Sequence, residues 1–157
     1  LQNIIDGINE SKNSGISSRR LILNAWNAEQ LDEMALPPCH VLSQFFVQDD
    51  KLSCALYQRS GDVGLGIPFN VASYSFLTHL LAKHCNLEAN EFIHFIGNAH
   101  IYEDHINVLS DQTKREPYEE PTIEISEKRD NINDYIFKDF KIHNYKHDEP
   151  IKMDMRA

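Results

Sequence analysis

The order of apolar and polar positions along the chain predicts strands mixed with helices. Residues 41–47 and 52–57 alternate with a period of two around the polar turn 48–50, which predicts an antiparallel hairpin. Residues 71–85 are almost entirely apolar and predict a long helix buried on most of its sides, with Asn70 as a candidate N-cap. The other predicted elements are helices over 1–8 and 103–114, a short acidic turn or helix over 29–35, and strands over 21–26, 91–96, 122–126 and 140–143. Without an internal repeat or a linker, these elements form one α+β unit.

The predicted hairpin brings a cysteine close to an arginine. If Val47 pairs with Lys51, opposed residue numbers sum to 98, so Cys39 lies opposite Arg59. A loop one residue shorter places Cys39 opposite Ser60 instead. Opposed side chains of an antiparallel pair lie roughly 5 Å apart. The fixed charge of the guanidinium would therefore favour a thiolate nucleophile at the open end of the hairpin.

A cysteine is more often a small buried hydrophobe than a nucleophile, and that alternative applies to each of the three cysteines. Pro37 and Pro38 constrain the backbone just before Cys39, and polar residues cluster at the opposing strand end. Cys54 lies in the middle of a predicted strand, and Cys85 closes the apolar helix. We therefore expect Cys54 and Cys85 to be packing residues and Cys39 to be the reactive one.

Composition limits the classes of partner and compartment. The 157 residues carry a net charge of -9, which argues against a nucleic-acid phosphate surface or an anionic membrane as the main partner. A local basic pocket can still bind a small anion. Irregularly spaced cysteines, no CxxC pair, no signal peptide and no long apolar stretch predict a reducing, cytoplasmic compartment.

Several motifs together resemble the thymidylate synthase family. They are SRR at 18–20, AWN at 25–27, MALPPCH at 34–40, LYQRSGD at 56–62, GIPFN at 66–70 and HIY at 100–102. The resemblance covers nearly the whole chain and follows the order and spacing of the family. It implies a mixed sheet packed with a long buried helix, and a homodimer formed through the sheet. Residues 1–157 would be the C-terminal portion of one synthase domain whose N-terminal part lies outside the chain.

The resemblance implies a methyltransferase reaction, the reductive methylation of dUMP to dTMP in nucleotide biosynthesis. 5,10-Methylenetetrahydrofolate would give both the one-carbon unit and the hydride. The cysteine that matches Cys39 adds to C6 of uracil and makes C5 nucleophilic. Arg59 would hold the thiolate and contact the phosphate, a task suited to a rigid guanidinium. Asp62 matches the aspartate beside uracil and folate.

The other site residues follow from the same resemblance. Asn70 matches the residue that pairs with uracil, because a carboxamide offers a donor to O4 and an acceptor to N3–H. Deoxycytidylate hydroxymethylases carry aspartate there, so asparagine favours uracil. The remaining substrate residues would be Ser60 at the phosphate, His100 and Tyr102 at the ribose 3′-hydroxyl, and Arg19 and Arg20 at the phosphate of the neighbouring subunit. The folate residues would be Asp62, Gly66, Phe69, Met155 and Ala157.

Some residues depart from the common family pattern and indicate which branch of the family the chain resembles most. Asn98 stands where many relatives have aspartate, and this residue and the Met-Asp-Met tail look most like the bifunctional dihydrofolate reductase/thymidylate synthases of protozoa. Arg156 places a long charged side chain in a tail that closes over the family's ternary complex. We expect no metal site, because His94, His100 and His105 have irregular spacing and no completing ligand set.

Three other functions compete with the synthase. A noncatalytic remnant would bind nucleotide or dimerise through its sheet without methylating anything. Deoxypyrimidine hydroxymethylation is disfavoured by Asn70. A cysteine hydrolase is disfavoured because the sequence places no histidine base with an orienting partner beside Cys39.

Overall fold

A computed structural model describes residues 1–156 as a four-stranded mixed sheet with helices and a separate two-stranded hairpin. The sheet has the order β1-β2-β3-β4, and the second hairpin pairs β5 with β6. The helices are α1 (Gln2–Ser14), α2 (Gly66–His84) and α3 (Ile106–Gln112). The strands are β1 (Ile22–Asn24), β2 (His40–Gln48), β3 (Lys51–Asp62), β4 (Glu88–His100), β5 (Thr122–Ile125) and β6 (Phe140–His143). The α+β class and every predicted strand are confirmed.

The β2–β3 turn is tighter than the first of the two predicted loops. Asp49 and Asp50 have positive φ angles of 49° and 59° and form a two-residue loop. Gln48 pairs with Lys51 across this loop. Positive φ at both loop positions matches the right-handed twist of the two strands, and aspartate tolerates that conformation. The shorter of the two loops is therefore the one formed.

A register shift near the open end of the hairpin moves Cys39 back opposite Arg59. Between His40 and Leu42 the pairing changes by one residue, so that His40 faces Gln58. The Arg59 backbone N–H donates to the Cys39 carbonyl at 2.9 Å. The prediction of a Cys39–Arg59 pairing is thus confirmed, although its premise of the longer turn was wrong. An extra residue in one strand of this kind re-aims the side chains beside it.

Helix α2 begins earlier and is less covered than the sequence predicts. It starts at Gly66 after Leu65, so Asn70 lies inside the helix and is not its N-cap. Residues 78–84 contain all of its buried side chains: Thr78, Leu81, Ala82 and His84. Phe69 is 73% exposed, and Val71 is also exposed. The prediction of a helix buried on most sides is wrong for this chain, because only one side of α2 packs on the sheet.

The core lies between α1, the C-terminal half of α2 and one face of the sheet. Ile8, Phe45, Leu52 and Leu81 are completely buried there. Cys54 and Cys85 belong to the same cluster, and burial raises the pKa of each thiol to about 11. Both thiols are therefore packing groups, as the sequence predicts.

Strand β4 runs parallel to β3 and is connected to it through α2. Parallel neighbours require a long connection of this kind. Because the strands are parallel, their C-terminal ends meet at one edge of the sheet, where the open end of the β2–β3 hairpin also lies. None of the helices within residues 1–156 is long and apolar enough to cross a membrane.

Candidate active site

Four elements meet at the edge of the sheet that carries Cys39. Strand β2 starts at His40, and the C-terminal ends of β3 and β4 lie beside each other through the Ser60–Asn98 and Asp62–His100 pairs. Helix α2 begins directly after β3. Ligands of sheets with parallel strands commonly bind outside the C-terminal strand ends. The topology therefore assembles residues from distant parts of the sequence at one edge.

The Arg59 side chain binds the backbone that leads into Cys39. Its Nε donates to the Pro38 carbonyl at 3.1 Å, and its Nη2 donates to the Pro37 carbonyl at 2.7 Å. The guanidinium also lies 5.8 Å from the centre of the Trp26 ring, within the range of a cation–π contact. Arg59 therefore fixes the double-proline segment, and through it the backbone position of Cys39.

Asp62 has a structural task at the start of α2. Its Oδ1 accepts a hydrogen bond from the Gly64 N–H at 3.0 Å, and its Oδ2 accepts one from the Leu65 N–H at 3.3 Å. A carboxylate that accepts from these N–H groups also lies near the positive end of the helix dipole. Asp62 therefore closes the turn between β3 and α2.

Asn70 lies in a row of hydrogen-bonded side chains that joins three strands to α2. Its Oδ1 accepts from Gln58 Nε2 at 2.7 Å, and its Nδ2 lies 2.8 Å from His40 Nε2. Gln58 Nε2 also donates to the Ser60 carbonyl at 2.9 Å, while Gln58 Oε1 lies 2.8 Å from His94 Nε2. The carboxamide of Asn70 is consequently held on both sides.

Burial favours the neutral form of the two histidines of this row, His40 and His94. It lowers the pKa of His40 below its ordinary value of 6.5. Burial also lowers the pKa of His94, with a smaller contribution from the nearby His40 ring. Tyr74 packs edge-on against His40 with ring centres 5.5 Å apart, and burial raises the pKa of that tyrosine. A neutral imidazole has one N–H and one acceptor nitrogen, so its partners decide which ring nitrogen donates.

His100 and Tyr102 lie at the same edge but are not on one strand. Strand β4 ends at His100, and Tyr102 follows in an extended segment. The last β3–β4 pair is Asp62 with His100, and the Val63 N–H donates to the His100 carbonyl at 2.9 Å, so Tyr102 lies beyond the strand. Their rings still meet edge-to-face, with centres 5.3 Å apart. The two polar groups are therefore neighbours.

Arg19 and Arg20 lie away from Cys39 in the same chain. They precede β1, whose Ile22 pairs with Gln44 near the middle of β2. At about 3.3 Å per residue, that position is roughly 13 Å from the start of β2. The fold therefore does not bring these arginines to the edge of the sheet that carries Cys39 in the same chain.

The C-terminal tail is fastened beside α3. His105 Nε2 lies 2.9 Å from the Asp154 carbonyl, and Arg156 Nε donates to Asp104 Oδ2 at 3.1 Å. A second Arg156 nitrogen, Nη2, donates to the same Asp104 oxygen at 2.5 Å. Met155 is 88% exposed, so the structure does not join its side chain to the other predicted folate residues. Ala157 lies outside the described residues.

Comparison with known proteins decides which family the site belongs to. The sequence model described as "Thymidylate synthase" matches residues 1–157. The chain belongs to the thymidylate synthase family. It is 52% identical over 157 residues to a bifunctional dihydrofolate reductase-thymidylate synthase of Plasmodium berghei (strain Anka). It is 53% identical over 136 residues to a thymidylate synthase of Vesicomyosocius okutanii, and 48% identical over 152 residues to one of Staphylococcus haemolyticus.

The extent of these matches differs between the chain and its relatives. The Plasmodium match covers 100% of this chain but 26% of the relative. The two thymidylate synthases are matched over 87% and 97% of this chain, and over 52% and 46% of their own lengths. The chain thus spans about a quarter to a half of the curated relatives it matches. The resemblance to the thymidylate synthase family, including its bifunctional members, is confirmed.

Sequence reasoning missed three members of the row around Asn70: His40, Gln58 and His94. Gln58 stands at an inward position of β3, two residues after the buried Leu56. A polar side chain in the buried register of a strand needs a hydrogen-bond partner. The period-two pattern contained that signal, but the partners come from other elements. Among residues 1–156, no group of three or more His, Cys, Asp or Glu side chains could hold a metal ion.

Proposed function

We propose that the chain is part of a thymidylate synthase that converts dUMP to dTMP, with Cys39 as the nucleophile. The single observation that carries the proposal is the joint placement of Cys39, Arg59 and Asn70 at one sheet edge, in a chain that matches the family over residues 1–157. His40 follows Cys39 directly and contacts Asn70 at 2.8 Å. The residue next to the nucleophile thus contacts Asn70, the side chain proposed to bind the pyrimidine.

In the proposed reaction, Cys39 Sγ attacks C6 of the bound uracil and forms a covalent bond. The electron pair of the C5–C6 double bond moves toward C5 and O4, so C5 becomes the carbon nucleophile. Methylenetetrahydrofolate, when bound, supplies the one-carbon unit and the hydride. C5 loses its proton after the one-carbon unit is attached, and the C6–Sγ bond breaks to restore the C5–C6 double bond and free the Cys39 thiolate. The Asn70 carboxamide donates to O4 and accepts from N3–H, and its donor stabilises the negative charge that develops on O4.

The remaining residues bind the nucleotide. Ser60 and Arg59 serve the phosphate, and His100 and Tyr102 serve the ribose 3′-hydroxyl. The edge-to-face contact of the His100 and Tyr102 rings supports a shared task. Arg59 uses two of its nitrogens on the Pro37 and Pro38 carbonyls, and a guanidinium has further N–H groups for a phosphate.

The folate surface is proposed along the first turn of α2. Gly66 has no side chain, and a Cβ added there would lie 3.5 Å from Asp62 Cβ. The exposed Phe69 ring lies one turn further along the helix. A flat heterocycle suits such a surface, because aromatic rings stack favourably. Asp62, Gly66, Phe69, Met155 and Ala157 remain the proposed folate residues.

A homodimer through the sheet completes the proposal. The sheet face opposite the core exposes large apolar side chains on all four strands: Ile22, Phe46, Tyr57, Ile93 and Phe95. Contiguous exposed apolar patches of this kind mark interaction surfaces. A second copy would cover the patch, and Arg19 and Arg20 would reach its phosphate site. Phe95→Lys should convert the dimer to monomer in sedimentation velocity, whereas Ile142→Lys on β6 should leave the dimer intact.

Intact-protein mass spectrometry tests the nucleophile. The protein at its natural full length is incubated with 5-fluoro-dUMP and methylenetetrahydrofolate, denatured and weighed. We expect a covalent adduct containing both ligands, mapped by peptide analysis to Cys39. Cys39→Ser should abolish the adduct, and Cys54→Ser should retain it. An unmodified wild-type protein that binds dUMP would support the noncatalytic alternative instead.

A further inference from the structure

The donor and the acceptor of each hydrogen bond around Asn70 can be assigned, starting from the Ser60 backbone carbonyl. The Ser60 carbonyl can only accept, so the Gln58 atom at 2.9 Å from it must be the donor Nε2. Gln58 Oε1 then points to His94 Nε2 at 2.8 Å. His94 must therefore donate from Nε2. At the other end of the row, Asn70 donates to His40 Nε2 at 2.8 Å.

These assignments define which donor and which acceptor of the Asn70 carboxamide remain for the nucleotide. A carboxamide has two N–H donors and two acceptor lone pairs. Gln58 uses one lone pair and His40 uses one N–H, so one acceptor and one donor remain. Uracil offers an acceptor at O4 and a donor at N3, which matches one orientation of the carboxamide. Cytosine offers the reverse pattern and would match the flipped orientation.

We infer that His94 is a positioning residue for Asn70, acting through Gln58, and that it contributes to the choice of uracil over cytosine. This inference rests on the proposed function. Gln58 is 1% exposed, and His94 is the hydrogen-bond donor to its Oε1. A buried acceptor that loses its donor is strongly disfavoured, so Gln58 would lose its fixed position and release Asn70.

The fold places the His94 ring beside Gln58. His94 lies on β4 with its side chain toward the core face, between Phe92 and Ile96 at the alternating positions. The Phe92 ring packs against it at an angle of 34°, with ring centres 5.3 Å apart. Gln58 Oε1 can only accept, so its contact with His94 places an N–H on Nε2, and burial lowers the pKa of His94, which favours the neutral ring.

Two substitutions separate the donor from the shape of the side chain. His94→Phe keeps a flat ring but removes the N–H, whereas His94→Gln keeps a donor. His79→Phe, at an exposed position on α2, is the matched control. The dissociation constants for dUMP and dCMP are measured by calorimetry in the full-length protein. We expect His94→Phe to weaken dUMP binding about tenfold and to lower the dUMP-over-dCMP preference by a similar factor. We expect His94→Gln and the control to stay within about threefold of wild type.

Nuclear magnetic resonance gives a readout that does not depend on nucleotide. In wild type, the His94 ring should be the neutral Nε2–H tautomer and the His40 ring the neutral Nδ1–H tautomer. The side-chain N–H signals of Gln58 and Asn70 should be protected from solvent exchange, and His94→Phe should remove that protection. A His94 ring protonated at Nδ1 alone, or equal losses of dUMP and dCMP affinity in His94→Phe, would overturn the inference. If wild type forms no adduct with 5-fluoro-dUMP, the proposed reaction fails, while the tautomers still decide whether His94 holds Gln58 and Asn70.

Discussion

Replacing Gln58 by leucine tests whether the row around Asn70 stabilises the fold as well as the site. Leucine has a similar volume, so the change removes hydrogen bonds without leaving a large cavity. It deprives the Ser60 carbonyl, Asn70 Oδ1 and His94 Nε2 of their contacts with Gln58 at 2.9, 2.7 and 2.8 Å. At about 1 kcal/mol for each hydrogen bond, the free energy of unfolding should fall by about 3 kcal/mol.

That loss is large enough to measure by calorimetry. In a protein of this size, about 1 kcal/mol lowers the melting temperature by roughly 2–4 °C, so Gln58→Leu should lower it by roughly 6–12 °C. The matched control is Gln48→Leu, at the exposed end of β2, which should change stability by less than about 0.5 kcal/mol. A loss below about 1 kcal/mol in Gln58→Leu, with normal dUMP affinity, would refute the reasoning that these bonds are all formed and all matter.

Three further predictions concern charge. Arg129, the Ile136 N–H and Ser126 lower the pKa of Asp139 to about 2. Asp139→Asn should therefore destabilise the protein at neutral pH. The difference in melting temperature between Asp139→Asn and wild type should vanish as the pH falls from about 4 through 2. Arg156→Ala, which removes the contact with Asp104, should lower kcat more than it weakens dUMP binding in steady-state kinetics, and an equal change in both would contradict a role for the fastened tail. Because burial lowers the pKa of His40 below 6.5, the unfolded chain binds more protons just below that pH, and wild type should lose thermal stability there more steeply than His40→Asn.

The sequence predicted the strands well where apolar and polar residues alternate with a clear period of two. The two alternating runs formed the β2–β3 hairpin, and the short patterns at 122–126 and 140–143 formed β5 and β6. The motifs around Cys39 were sufficient for the family, which the match over residues 1–157 confirms. These features are local, because alternation, turn chemistry and motif spacing all lie within a few neighbouring residues.

Tertiary contacts decided where helix α2 begins and which of its side chains are buried. Helix α2 begins at Gly66, directly after the turn that Asp62 closes through the Gly64 and Leu65 N–H groups, and Asn70 consequently lies inside the helix. An apolar run predicts that a helix is buried but not which element packs against it, and the first turns of α2 leave Phe69 and Val71 exposed. The structure thus corrected both the start and the burial of the helix.

The sequence by itself determined which chemical groups the site contains, and the tertiary structure decided how they are held. Cys39 and Arg59 were expected at the same end of the hairpin because a hairpin is a local structure, but the two-residue turn and the register shift between His40 and Leu42 decided that they are opposed. The row of His94, Gln58 and Asn70 was not expected, because β3, α2 and β4 come together only when a parallel crossover brings β4 next to β3. The physical reason is that hydrogen bonds depend on distance and direction in space, and the sequence pattern encodes those only within one element.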